Sequence, residues 1–187
     1  LDIHSHTARV QQIALCHAYE QELLRRLCRG ERPLGAVELG TWLGGTTVLL
    51  AKVAQEYQTF VLGIDHHRGD EDLGPQQTEA QYLANLARYG VADTVISLVA
   101  RTEHLKGRLQ AFAPGSCCFA FIDGAHDAPH VLADALIAGH LVQEGLICWH
   151  DFDDNRDVKR VYAEVSGPLG LRPIEQVECL LITRRDP

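Results

Sequence analysis

The sequence contains no methionine, not even at its first position, and aromatics make up only 6% of its 187 residues. The missing initiator leads us to expect a few native residues ahead of Leu1. No apolar run approaches the ~20 residues of a membrane-spanning helix, so no membrane association is expected. The stretch Leu1 to Arg9 is polar and carries His4 and His6. It lacks the apolar segment of a secretory signal, and a cytoplasmic location follows as the expectation. Positive charge is scarce as well: 17 Lys and Arg against 25 Asp and Glu leave a net charge of −8. That balance argues against a broad phosphate-backbone footprint, and hence against nucleic acid as the main substrate. The one basic concentration, Arg25, Arg26, Arg29 and Arg32, reads as a solvated helix end, where cations meet a favourable dipole. There is no CxxC pair among the six cysteines. Cys117, Cys118, Cys148 and Cys179 lie in apolar, strand-like runs and are expected as buried free thiols in a reducing compartment.

What is present is alternation. With 46% hydrophobic and 22% charged residues, the chain is globular in composition, and its length suits one α/β domain over residues 1–187. Short apolar runs alternate with segments of helical spacing, the pattern of a mostly parallel sheet with covering helices. An opening helix is expected from about Thr7 to Arg29, stopped by Gly30, within an N-terminal region 1–30 that precedes a core over 35–187. Strands are expected at Ala36–Leu39, Phe60–Asp65, Thr94–Val99, Cys117–Asp123 and Leu146–Asp151, with a closing antiparallel hairpin near Leu171–Gln176 and Cys179–Thr183. Between them fall helices from Gly45 to Ala54, up to Gly90, around Leu105–Phe112, from Asp127 or Ala128 to Gly145, and from Asn155 to Val165. The fold class is therefore a doubly wound, Rossmann-like sheet of seven strands, mostly parallel, with the last one antiparallel and helices on both faces. Such sheets bind ligands beyond the carboxyl ends of their strands, beside the switch in strand order. The residues to read for function are those at the strand ends.

The strongest such signal is Val37-Glu38-Leu39-Gly40-Thr41-Trp42-Leu43-Gly44-Gly45. An apolar strand ends in an acid, and a glycine turn follows that lets a ligand approach the backbone closely. A dinucleotide turn would be one residue shorter, G-x-G-x-x-G. The position two after Gly40 is Trp42, which leaves little room for a pyrophosphate. Asp65 ends the second strand, where a carboxylate can accept from both hydroxyls of a ribose. Phe121-Ile122-Asp123-Gly124-Ala125-His126 and Gly145-Leu146-Ile147-Cys148-Trp149-His150-Asp151 deliver further acids to the same sheet edge. Paired buried acids need a partner, and a hard divalent cation such as Mg²⁺ suits them.

The turn resembles motif I of class I methyltransferases, E/D-x-G-x-x-x-G. The set F-I-D-G-x-H, a helix with internal Asp134, then E-G-L-I-x-x-H-D resembles the small O-methyltransferases related to catechol, macrocin and sugar O-methyltransferases. The resemblance covers roughly Gly35 to Asp154. It implies S-adenosylmethionine as cofactor, held by Glu38, Gly40, Thr41, Trp42 and Gly44 of the turn, by Asp65 and His66, and by Arg101, Thr102 and Asp123. It implies a divalent cation on Asp123 and Asp151, which would hold the acceptor hydroxyl and lower its pKa. Relatives place a second acid or an Asn beside Asp151; this chain has His150 there, a third ligand that widens the choice to Mn²⁺, Fe²⁺ or Zn²⁺. His126 is the leading general base, with Asp123 and His150 completing the catalytic set. Alternatives stay open: a metal-free transferase with His126 or His150 as base, or a nucleoside-binding module without activity. The partner is a small-molecule acceptor, and a homodimer is the candidate assembly.

The motif Asp2-Ile3-His4-Ser5-His6 also looks like the D-x-H-x-H strand end of metal-dependent hydrolases. Those barrels are larger and need an apolar strand before the acid, which this chain lacks. The opening segment and the loop Arg68–Gln76, with Asp70, Glu71 and Asp72, are instead expected to close over the acceptor and to be mobile without ligand.

Overall fold

A computed structural model describes residues 3–69 and 74–187. Helix α1 (Ile3–Cys28) begins a turn before the expected Thr7, since no proline or glycine stops it there. The side chains of His4 and His6, together with Asp2, Asp70, Glu71 and Asp72, lie outside the described residues, and so does the closing role expected of them. The strands are β1 (Gly35–Leu39), β2 (Val61–Asp65), β3 (Val95–Val99), β4 (Cys117–Ile122), β5 (Gly145–Trp149), β6 (Leu171–Val177) and β7 (Leu180–Arg185). The remaining helices are α2 (Gly45–Glu56), α3 (Glu79–Arg88), α4 (Thr102–Leu105), α5 (Ala128–Leu141) and α6 (Arg156–Leu169). Among the described residues no helix is long and apolar enough to cross a membrane.

The seven strands form one sheet in the order β3-β2-β1-β4-β5-β7-β6. The first five run parallel, and β7 is antiparallel to both its neighbours. This is the doubly wound sheet that the alternation predicts. Every residue of β1, β4 and β5 is buried, as strands covered on both faces require. On one face α5 and α6 pack Val131, Ile137 and Val161 against Val37, Leu39, Ile147 and Trp149. On the other, α1, α2 and α3 pack Tyr19, Leu50 and Tyr82 against Ala36, Phe119, Phe121 and Cys148.

Three expectations change in detail. β3, expected at Thr94–Val99 with no place in the strand order, is the sheet's outer edge, with Ile96 and Val99 more than half exposed. The last helix runs through Pro168 to Leu169, because a proline in a final turn breaks little. Cys179 lies in the turn between β6 and β7, half-buried, whereas Cys117, Cys118 and Cys148 are buried thiols as expected.

The arginine-rich end of α1 is less solvated than its composition suggests. Glu22, with no exposed side-chain surface, binds Arg25 at 2.7 Å and Arg184 at 2.9 Å. Glu144 receives Arg29 at 2.7 Å and Arg25 at 2.8 Å. These two arginines hold the Glu144 carboxyl down at about 2. A carboxylate depressed in the folded state stabilises above its ordinary range and loses that contribution as pH falls through the folded value. Glu144→Gln is therefore expected to cost about 1 kcal/mol at neutral pH, with the difference from wild type shrinking as the pH approaches about 2. Urea unfolding of both proteins across acidic pH measures it, and a difference that stays constant would refute the assignment.

Candidate active site

The sheet reverses its winding between β1 and β4, and the carboxyl end of β1 is hydrogen-bonded to both β4 and β2. Asp123 N donates to Leu39 O at 2.8 Å, and Gly40 N donates to Ile64 O at 2.9 Å. Gly40 has φ +90°, and a Cβ on it would lie 2.3 Å from the backbone oxygen of Asp123. Only glycine fits both the conformation and the space. Asp65, at the end of β2, secures the turn from the other side. Its Oδ2 accepts from Thr41 N at 2.8 Å and from Trp42 N at 2.7 Å, and its Oδ1 accepts from His67 N at 2.7 Å. The sequence reading kept this carboxylate for a ligand; here it also ties the glycine turn to β2.

Two cavities open on this turn. The larger, about 800 Å³, lies between α1, the turn and α2, with Glu38, Phe121, Asp123 and His150 among its lining. The smaller, about 220 Å³, is lined by Asp65, His66, Thr102, Gly124 and His126, among others. Gly40, Trp42 and Asp123 line both. Trp42 sits at φ +44°, is 52% exposed, and donates from Nε1 to Gln76 Oε1 at 3.0 Å. Thr41 and Gly44 line the larger cavity. Arg101 lines neither: it turns outward to Glu103 at 3.4 Å.

Glu38 is the buried acid of the turn, 1% exposed. Burial pushes its carboxyl well above the usual range, against the opposing effect of Thr47, and its Oε2 has no hydrogen-bond partner. Its carboxyl lines the larger cavity, where it can hydrogen-bond a polar ligand.

The residues beyond β4 and β5 form a cluster of charge. β5 ends at Trp149, so His150 and Asp151 lie in the turn that follows, with Asp151 at φ +50°. His150 Nδ1 lies 3.0 Å from Asp123 Oδ1 and 3.1 Å from Asp151 Oδ2. His126 Nε2 reaches the same Asp151 oxygen at 2.9 Å. Burial alone would lower His150, but the carboxylates of Asp123 and Asp151 outweigh it and raise the imidazole to about 11. Asp151 raises His126 in the same way, and the two imidazoles hold Asp151 far below the ordinary carboxylate range. The carboxylates thus favour the protonated form of His150, and Asp151 favours that of His126. Sequence reasoning took His126 as the leading base and His150 as a ligand or alternative base; the structure brings both onto one carboxylate.

Two further members of the cluster were not foreseen. Gln11 of α1, 3% exposed, shares a hydrogen bond with His150 Nε2 through Oε1 at 3.0 Å and donates to Cys179 Sγ at 2.9 Å. Cys179 Sγ in turn lies 3.5 Å from Asp151 Oδ1. No motif marks either residue, because a glutamine within a helix and a cysteine in a hairpin turn have no distinguishing neighbours in sequence.

One ligand atom each from Asp123, His126, His150 and Asp151 can lie within 4.8 Å of all the others. His126 Nε2 and His150 Nδ1 are close to carboxylate oxygens, yet neither has hydrogen-bond geometry toward a partner. Two orphaned ring nitrogens converging on acids fit a divalent cation.

A family model described as a methyltransferase domain matches residues 37–152. No curated protein matches the chain. Among solved structures, the O-methyltransferase NovP superposes with a TM-score of 0.71 at 14% identity, over 92% of this chain and 79% of that one. The O-methyltransferase TomG from Streptomyces achromogenes, in complex with S-adenosylmethionine, gives 0.63 at 16% identity, over 91% and 80%. CalS11, a calicheamicin methyltransferase, gives 0.65 at 16%, over 98% and 80%. At these identities the similarity is one of fold.

Proposed function

The chain belongs to the methyltransferase-domain family, whose model spans residues 37–152, and we propose that it transfers the methyl group of S-adenosylmethionine to a hydroxyl of a small molecule. The observation that carries this reading is the junction of two cavities at Gly40, Trp42 and Asp123, with a cluster of acids and imidazoles beside it. The nucleoside end of the donor fits the smaller cavity beside Asp65, His66 and Thr102. Its amino-acid end passes the Gly40 turn toward Glu38 and Thr41, which leaves the rest of the larger cavity to the acceptor. TomG, which is involved in tomaymycin synthesis, and CalS11, a calicheamicin methyltransferase, support a small acceptor. So does the net charge of −8, which disfavours a phosphate backbone, while Arg25, Arg26 and Arg29 are paired with glutamates.

The transfer is a displacement in which the acceptor oxygen bonds to the methyl carbon as the sulfur–carbon bond breaks. Positioning carries most of it. Gly40 and Asp65 shape the donor's seat, and Leu15, Val48 and Phe121 give the larger cavity an apolar wall. In the metal-free reading His126, on the wall of the smaller cavity, takes the hydroxyl proton when it is neutral. Asp123, Asp151, His126 and His150 would hold a divalent cation, which would supply a Lewis acid that lowers the acceptor's pKa. Two acids and two imidazoles accommodate Mn²⁺, Fe²⁺ or Zn²⁺ as well as Mg²⁺. A metal-free reading has one observation in its favour: His150 Nδ1 already lies between the two carboxylates and serves as their cation.

Calorimetry with S-adenosylhomocysteine and with NAD tests the donor. Micromolar binding of the former is expected, with weakening by about 1–3 kcal/mol in Asp65→Ala, where the turn amides lose their acceptor. Tighter binding of NAD than of S-adenosylhomocysteine would end the reading.

A further inference from the structure

The cluster beyond β4 and β5 is backed by a chain of hydrogen bonds whose direction is fixed at one end. A carboxylate such as Asp151 can only accept. The Cys179 thiol, with Sγ 3.5 Å from Asp151 Oδ1, therefore donates to it. With its proton so directed, Sγ is left to accept, and it does so from Gln11 Nε2 at 2.9 Å. That puts the amide oxygen of Gln11 on the other side, 3.0 Å from His150 Nε2. The oxygen cannot donate, so His150 Nε2 carries the hydrogen, and in the neutral ring Nδ1 keeps a free lone pair. Turning the amide over would set its oxygen against a sulfur whose proton already goes to Asp151. Gln11 is buried in α1, and a buried amide is held to the partners it has.

We infer that Gln11 is a positioning residue: it fixes the tautomer of His150, so that Nδ1 is the nitrogen that binds a divalent cation. The inference rests on the metal-assisted form of the reading above and names a residue on which that form depends. Nδ1 lies 3.0 Å from Asp123 Oδ1 and 3.1 Å from Asp151 Oδ2, with hydrogen-bond geometry toward neither. Donor atoms about 3 Å apart are spaced as adjacent ligands of one ion with bonds of about 2.1 Å. Asp123 and His150 line the larger cavity, which gives the group its approach. A ligand imidazole whose second nitrogen donates to a fixed oxygen is held in both orientation and tautomer. Gln11 stands outside residues 37–152, which the methyltransferase-domain model matches. The site is thus completed by α1, a segment outside that core.

The test is the affinity for Mn²⁺, measured by calorimetry on wild type, Gln11→Met and Gln11→Glu. Methionine has nearly the size of glutamine but no oxygen to accept from Nε2, and binding is expected to weaken by about 10–100-fold. Glutamate keeps the accepting oxygen, and binding should remain at least as tight as in wild type. A merely structural role would leave the affinity of a folded Gln11→Met protein unmoved, and that result overturns the inference while the metal reading stands. Equal weakening in both variants overturns it as well. The tautomer itself is read by nuclear magnetic resonance of Zn²⁺-loaded wild type with isotopically labelled histidine, the His150 signals being assigned by their loss in His150→Gln. A hydrogen on Nε2 and none on Nδ1 is expected, and this measurement decides if Gln11→Met does not fold. The opposite tautomer overturns the inference. A wild type that binds S-adenosylhomocysteine but no divalent cation overturns it together with the metal-assisted mechanism, and leaves the donor reading in place.

Discussion

Replacing Gly40 with alanine is expected to abolish binding of S-adenosylhomocysteine and to lower the melting temperature by roughly 6–12 °C, from a loss of roughly 3 kcal/mol in a chain of this size. Two effects add. At φ +90° an L side chain pays a left-handed penalty of about 1 kcal/mol. The new Cβ would also stand 2.3 Å from the backbone oxygen of Asp123 and 2.6 Å from Gly124 Cα, and overpacking of this kind costs about 1–3 kcal/mol. Because the clash is with backbone, relief requires β1 and β4 to part at their ends, where the two cavities meet. Gly90→Ala is the control. Gly90 has φ +65° with nothing within 4 Å of a Cβ, so it should show the conformational penalty of about 1 kcal/mol alone. Near-normal donor affinity in Gly40→Ala would mean that the turn is not the donor's seat.

Asp151→Asn is expected to reduce turnover on the order of 10²–10³-fold while leaving the fold and the affinity for S-adenosylhomocysteine unchanged. Asparagine tolerates the left-handed backbone at φ +50°, so the turn should survive. What disappears is the charge that His126 and His150 share. Asp151 lines neither cavity, which is why binding and turnover should separate. The same comparison, made with a chelator, decides between the two mechanisms. If wild type falls toward the variant and Mn²⁺ restores it, the acids and imidazoles work as a ligand set. If the chelator has no effect, the cation between Asp123 and Asp151 is the imidazolium of His150. An Asp151→Asn protein with wild-type turnover would remove the cluster from the reaction altogether.

The elements and their order could be read from the sequence because they rest on local chemistry. Alternating apolar runs and helical spacings mark the βα units, and Gly40, Asp65 and Asp123 fall at strand ends because apolar runs stop there. The placement of β7 inside the sheet was legible only in part. β6 carries Pro173, which cannot donate to a second ladder, along with Arg172 and Glu175, so it belongs at an edge. β7 offers Leu180, Leu181, Ile182 and Thr183, all buried, and so lies against β5. β3 looks as apolar as the core strands, and only the strand order shows it to be an edge.

The candidate site divides in the same way. Its acids follow from motif and position, but their partners come from segments remote in sequence. Gln11 reaches His150 across 139 positions, and Cys179 reaches Asp151 across 28. His126 and His150 follow different strands, and nothing within either motif places both on one carboxylate. What the sequence by itself determined was the repeating unit and which residue types stand at each strand end, since both depend on contacts a few residues apart. Which of those residues share a proton, a carboxylate or a cavity was decided by the packing of β1 against β4 and of α1 across the strand ends. Distances of about 3 Å between groups far apart in the chain exist only once the sheet has closed.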